Sequence, residues 1–274
     1  MNMERPTNGS GESSEWVRAR EKGLDMSQKA RMERADALFP TVMYTGTTSV
    51  FDEFSPEESG KGSGIAQVDG AVWATSDPEV ASYFALFPLQ DPYKYLIALV
   101  RKANLGEWYN SRATAEQLTI DNPKLKEAMG TFADTLAKHK ISEKNWIGKL
   151  LSEKTLRTAV LEDAERIADT FATITGTRVS ITPVVMPLRI NDADFIAKDF
   201  EGSSIEEITN LNDDYVRDMR MEAERKESGG ITLHNVADGI DKHSTIMAIK
   251  NYARIRSIHA AFDPDRKDEA GLMY

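Results

Sequence analysis

The sequence predicts an α+β protein, with strands toward both ends of the chain and helices concentrated between them. Two observations carry this prediction. Short β-branched and aromatic segments, Thr41-Val42-Met43-Tyr44-Thr45 and Ala71-Val72-Trp73-Ala74-Thr75, come first. A long stretch from Ala113 to Thr175, rich in Lys, Glu, Ala and Leu at helical spacing, follows, and β-like segments then return. The balance of 41% apolar and 28% charged residues over 274 positions suits a chain that buries a core.

In chain order, residues 1–13 are polar and rich in Gly and Ser, which predicts a disordered tail before a single domain over 14–274. Ser14 to Leu38 reads as two helical stretches broken at Gly23 and ended by Pro40. The first strand runs into Gly46, a tight-loop residue, and Ser59 to Gly64 predicts a mobile loop. Ser76 or Asp77 caps a short helix over Pro78–Phe84, with proline at its first position. Tyr93 to Val100 is β-like in composition and predicts a strand. In the helical middle, Pro123, Gly130 and the segment around Lys140 divide the helices. Trp146, Leu150, Leu151, Leu156, Val160, Leu161, Ile167 and Phe171 form the apolar stripe of its second half, so about 113–175 reads as a helical insertion. Val179–Ile190 is β-like, Ser204–Lys226 helical, and strands are expected at Gly230–Val236, Thr245–Lys250 and Arg256–Phe262. There is no internal repeat.

Several function classes are excluded. Thirty-four basic against 44 acidic residues give a net charge of −10, which opposes general binding to nucleic-acid backbones and anionic membrane surfaces. Without cysteine there is no disulfide, thiol nucleophile or thiolate metal site. His139, His234, His243 and His259 show no short metal-ligand spacing, so no metal site is expected. No apolar stretch suits a secretory signal or a membrane span, which points to a soluble intracellular protein.

Tyr44-Thr45-Gly46-Thr47, the Phe51 and Phe54 pair, and Val72-Trp73-Ala74-Thr75-Ser76-Asp77-Pro78 leading to Tyr83 resemble the opening of the ADP-ribosyltransferase fold, in the branch found in phage and prophage polyvalent proteins. The segments Gly229 to Gly239 and Ile255 to Pro264, and Ala30-Arg31-Met32-Glu33-Arg34-Ala35 before the first strand, extend the likeness over about 27–100 and 183–274. More distantly it is similar to poly(ADP-ribose) polymerase-like transferases.

This resemblance implies a split, bent β-core holding NAD as substrate in a cleft, with a helical N-terminal segment and a helical insertion. It implies catalytic positions at Thr45 and Trp73, and NAD-binding positions at Tyr44, Gly46, Thr47, Thr75, Ser76 and Tyr83. Gly46 would let the backbone approach the nicotinamide amide, while Trp73 and Tyr83 would stack on its ring. The implied activity is mono-ADP-ribosylation of a host or phage macromolecule, the expected acceptor being a protein, in the host cytoplasm or on the virion. The departures are Thr45 in place of histidine, Trp73 in place of tyrosine, and no carboxylate near Thr245 or Ile246, where the family's glutamate falls. Asp241, Glu57 and Glu58 are the loop carboxylates that could serve instead. These departures leave a second reading open, a catalytically degenerate scaffold or interaction protein.

Plainer readings stand beside each assignment. Thr45 is also an ordinary strand threonine, and Trp73 and Tyr83 are ordinary core aromatics. Gly60 to Gly64 is also a solvated loop, and the charged helices from Lys124 to Asp169 are either solvated faces or a target-recognition insertion. His234 and His259 read as structural strand histidines, and Asp263-Pro264-Asp265 as a turn.

Overall fold

A computed structural model of the chain describes residues 23, 25, 27–49, 54, 70–105, 110–142, 145–208, 215–238, 240 and 242–258. The expected N-terminal tail and first helical stretch, Phe51, Glu57, Glu58, the Gly60 to Gly64 run, Asp241, His259 and the Asp263 turn lie outside the described residues. Helix α1 (Gln28–Leu38) starts at Ser27, whose hydroxyl accepts the N–H of Ala30, and leads into strand β1 (Thr41–Thr47). Strand β2 (Val72–Thr75) is followed by Asp77, whose carboxylate accepts the N–H of Glu79 at 2.7 Å and starts helix α2 (Pro78–Leu86). Sequence and structure agree on this strand-to-helix turn because its signals are local.

Tyr93 to Val100 is a correction: it lies in helix α3 (Pro92–Lys102), not in a strand. Asp91 accepts the N–H groups of Tyr93 and Lys94, Pro92 occupies the first turn, and Arg101 and Lys102 face the negative end of the helix dipole. Pro92, Tyr95, Leu96 and Leu99 form a buried stripe at helical spacing with Lys94 and Arg101 on the other side, so the 3.6-residue period is present and the β-like composition masked it.

Helices α4 (Ser111–Asp121), α5 (Pro123–Lys138), α6 (Trp146–Ser152) and α7 (Lys154–Thr175) complete the helical layer. Gly130 does not divide α5, a second correction. Leu125, Ala128, Phe132 and Leu136 form a buried stripe, and a Cβ at Gly130 would meet nothing within 4 Å. The glycine therefore costs about 1 kcal/mol of propensity on an open face, which the buried stripe outweighs. Helix α7 buries Leu156, Val160, Ala164, Ile167 and Phe171 and stops at Gly176, whose φ of 72° a glycine adopts without strain.

The remaining elements are strands β3 (Val184–Ile190) and β4 (Ile196–Asp199), helices α8 (Ile205–Ile208) and α9 (Tyr215–Arg225), and strands β5 (Gly230–Asp238), β6 (Lys242–Ile249) and β7 (Ile255–Ser257). The β-like segment expected from Val179 becomes a strand only at Val184. β4 was not expected: in Ile-Ala-Lys-Asp only Ile196 packs inward. The seven strands form one open mixed sheet in the order β4-β5-β6-β2-β1-β3-β7, with β4 parallel to β5 and the other neighbours antiparallel. The chain is thus α+β, as expected.

The register assigns the faces. Tyr44 pairs with Thr75, Trp73 with Ala248, and Ile231 with Ala248. Alternation therefore puts Tyr44, Gly46, Trp73 and Thr75 on one face. α9 covers part of that face through Val216, Met219 and Ala223. The opposite face carries Met43, Val72, Ala74, Leu188, Met247 and Ile249, packed with Phe54, Phe195 and Tyr252. The helical layer has its own core, from Leu86 through Phe132, Trp146 and Phe171 to Ile181. Lys102 links it to the sheet, its ammonium donating to the carbonyls of Thr48 and Ser180 and to the Ser49 hydroxyl.

Candidate functional site

β1 and β2 are neighbours, joined at the single recorded register pair Tyr44–Thr75. The two segments that carry the sequence motifs therefore lie side by side at the centre of the sheet. Their side chains divide between its faces. Thr45 pairs with Met186, is 7% exposed, and shares its face with Met43 and Ala74. Trp73 points the other way and packs with the Ile231 and Ala248 cluster, its indole Nε1 buried without a hydrogen-bond partner among the described residues.

Gly46 has a packing explanation. A Cβ there would lie 1.9 Å from the Ala81 carbonyl oxygen and 2.7 Å from the Ala85 nitrogen, so the glycine is where α2 crosses β1 backbone to backbone. Tyr83, on the same helix, packs against Phe84, Phe87 and Trp146, with ring centroids 5.2, 5.7 and 5.2 Å away. Trp73 and Tyr83 therefore belong to different apolar clusters. The Thr47 hydroxyl is 3.3 Å from both the backbone N–H and the carbonyl of Ser49 in the turn after β1. The buried Thr75 hydroxyl donates to Ser244 Oγ at 3.1 Å.

Ser76 leads to residues that sequence reasoning did not assign to a site. Its backbone N–H donates to the Thr245 carbonyl at 2.9 Å, and its Oγ accepts the Thr245 N–H at 3.0 Å. The β2–β6 ladder thus ends on an exposed hydroxyl. Across β6, Thr245 Oγ1 lies 3.3 Å from His234 Nδ1. His234 in turn pairs in register with Asp199 on β4. Asp199, His234 and Thr245 form a carboxylate, imidazole and hydroxyl row across three adjacent strands, all on the face that carries Thr45. The row sits at an irregularity: the β5–β6 register shifts between Leu233 and Val236, the interval that holds His234, and Asn235 adopts a φ of 59°. His234 lies in β5, as the strand reading expected, with its ring exposed. The missing long-range signal was the β4–β5 pairing that brings in Asp199; His234 and Thr245 meet across the short β5–β6 hairpin, where its register shifts.

The mouth of α2 is charged. Lys242 forms a hydrogen-bonded ion pair with Glu79 and lies 3.4 Å from Asp77. The Glu79 bond raises the ammonium pKa above its ordinary value, and the nearby Asp77 carboxylate raises it further, against the opposing effect of burial. Among the described residues no group of three histidine or acidic side chains is placed to hold a metal ion. None of their helices is long and apolar enough to cross a membrane. A surface recess lined by Asn122, Pro123, Lys124, Asp169, Thr173 and Ile174 belongs to the helical layer and touches none of the site residues. Comparison with protein-family models, curated proteins and solved structures finds no match.

Proposed function

We propose that the chain is an ADP-ribosyltransferase-like protein of the phage type that takes NAD as substrate and transfers ADP-ribose to a host or phage macromolecule, in the cytoplasm of the host cell. The observation that carries the reading is the central β6-β2-β1 arrangement, in which the two motif-bearing strands are neighbours and β6 supplies Thr245 beside Ser76. Cleaving the nicotinamide–ribose bond builds positive charge on the ribose, and the protein's task is to hold the sugar and the incoming nucleophile in line. The hydroxyls of Thr45, Ser76 and Thr245 have the donor and acceptor chemistry to pair with ribose hydroxyls. The Cβ side of Gly46, filled by α2, leaves only its other side for a nicotinamide amide.

A degenerate scaffold that keeps the strand arrangement without the chemistry is the second reading. It is favoured by Thr45 and Trp73 lying on opposite faces and by Trp73 and Tyr83 belonging to separate clusters. Calorimetry with NAD, followed by transfer from labelled NAD to protein in a cell extract, tests the pair. Binding with label transfer supports the transferase; binding without transfer supports the scaffold. No heat at millimolar NAD overturns the transferase.

A further inference from the structure

The row on β4, β5 and β6 has a chemistry of its own. His234 Nδ1 is 3.3 Å from the Thr245 hydroxyl, its ring is exposed, and its register partner is the exposed Asp199, whose Oδ1 also accepts the Glu201 N–H at 2.7 Å. The Thr245 hydroxyl within hydrogen-bond reach of Nδ1 orients the imidazole, Asp199 on the neighbouring strand adds a carboxylate to its surroundings, and Nε2 is left to accept a proton. A purely structural strand histidine needs no such row, and this exposed ring contributes no core packing.

We propose that His234 is the proton acceptor for the incoming nucleophile in ADP-ribosyl transfer, oriented by the Thr245 hydroxyl beside its Nδ1, and that the acceptor class it suits is a hydroxyl, water included. This rests on the transferase reading above. In the step, the nucleophile's oxygen forms a bond to C1′ of the ribose and the C1′–nitrogen bond to nicotinamide breaks. The bonding pair neutralises the pyridinium charge, nicotinamide leaves neutral, and the hydroxyl proton passes to His234. Charge and atoms balance without a further reactant. Neutral imidazole abstracts the proton, so protonation at low pH removes the base. The charged and titratable groups on the elements around it are Lys198 and Asp199 on β4, Asp238 on β5, Lys242 and His243 on β6, and Asp77 and Glu79 at the start of α2.

Because water is itself a hydroxyl acceptor, nicotinamide release from NAD by the full chain, measured from about pH 5 to 9, tests the proposal without a known target. The wild type is expected to lose rate on the acid side. His234→Gln keeps a polar group beside Thr245 and is expected to lower kcat at least tenfold, within the range of about 10²–10⁴ that general-base catalysis supplies, with KM for NAD unchanged and the acid limb abolished. Thr245→Val, which removes the hydroxyl beside Nδ1, and Asp199→Asn, which removes the neighbouring charge, are expected to lower kcat less and to keep an acid limb. A His234→Gln variant with wild-type rate and pH profile overturns the proposal while leaving the transferase reading intact. Wild-type protein that binds NAD but releases no nicotinamide overturns it as well. Wild-type protein that does not bind NAD overturns both.

Discussion

Replacing Gly46 with alanine puts a methyl group 1.9 Å from the carbonyl oxygen of Ala81, 2.7 Å from the nitrogen of Ala85 and 2.9 Å from the carbonyl carbon of Ala81. Ordinary van der Waals contact begins at about 3.4 Å, so α2 must move roughly 1.5 Å off β1 to admit the methyl. Every atom in the way is backbone, which cannot turn aside as a side-chain tip can. The displaced helix buries Val80, Ala81, Ala85 and Leu86, and repacking it costs at least the upper part of the usual overpacking range, about 3 kcal/mol. For a chain of this size that is a fall in melting temperature of roughly 6–12 °C, read by calorimetry or circular dichroism without any ligand. A Gly46→Ala protein that melts within about 2 °C of wild type refutes the packing account. If it also binds NAD weakly, Gly46 serves ligand approach instead. If helix packing is the reason, the loss appears in stability before any substrate is added.

Trp146 is 1% exposed between Tyr83 and Phe87, so Trp146→Ala should cost about 3–5 kcal/mol in denaturant unfolding, and a cost under about 1 kcal/mol would show that this aromatic cluster is not packed as described. The phenol of Tyr95 is held well above its ordinary pKa, first by burial and then by the charges of Glu165 and Asp169. A raised native pKa means the stability is fully present below the ordinary phenol value of 10.0 and is lost as pH rises above it. Tyr95→Phe should therefore flatten the alkaline fall in stability above about pH 10, and an unchanged fall would assign it to other groups. Asp163 is 5% exposed and accepts hydrogen bonds from the Thr135 hydroxyl at 2.5 Å and from Arg166 at 2.8 Å. Asp163→Ala leaves the Thr135 hydroxyl without this acceptor and should cost about 1–3 kcal/mol by the same denaturation assay.

The sequence by itself determined the elements whose signals are local. Strand-forming residues set β1 and β2, the Asp77-Pro78 pair started α2, and the stripe from Leu156 to Phe171 marked α7, because capping and side-chain period act within a few residues. Gly46 was legible as a special position, but its reason was not: the helix that approaches it is 35 residues further along the chain at Ala81. Composition misled at Tyr93–Val100, where aromatic and β-branched residues drew attention from the Asp91-Pro92 start signal and the helical spacing of Pro92, Tyr95, Leu96 and Leu99. β4 carries one inward apolar residue and exists because β5 offers it a parallel edge. Tertiary structure alone decided the site. Alternation within a strand follows from sequence, but which face of β1 matches which face of β2 depends on the Tyr44–Thr75 register. That pairing turns Thr45 and Trp73 away from each other. In the Asp199, His234 and Thr245 row, the short β5–β6 hairpin brings His234 and Thr245 together, while Asp199 comes from β4, a distant segment whose parallel pairing with β5 only the tertiary structure decides.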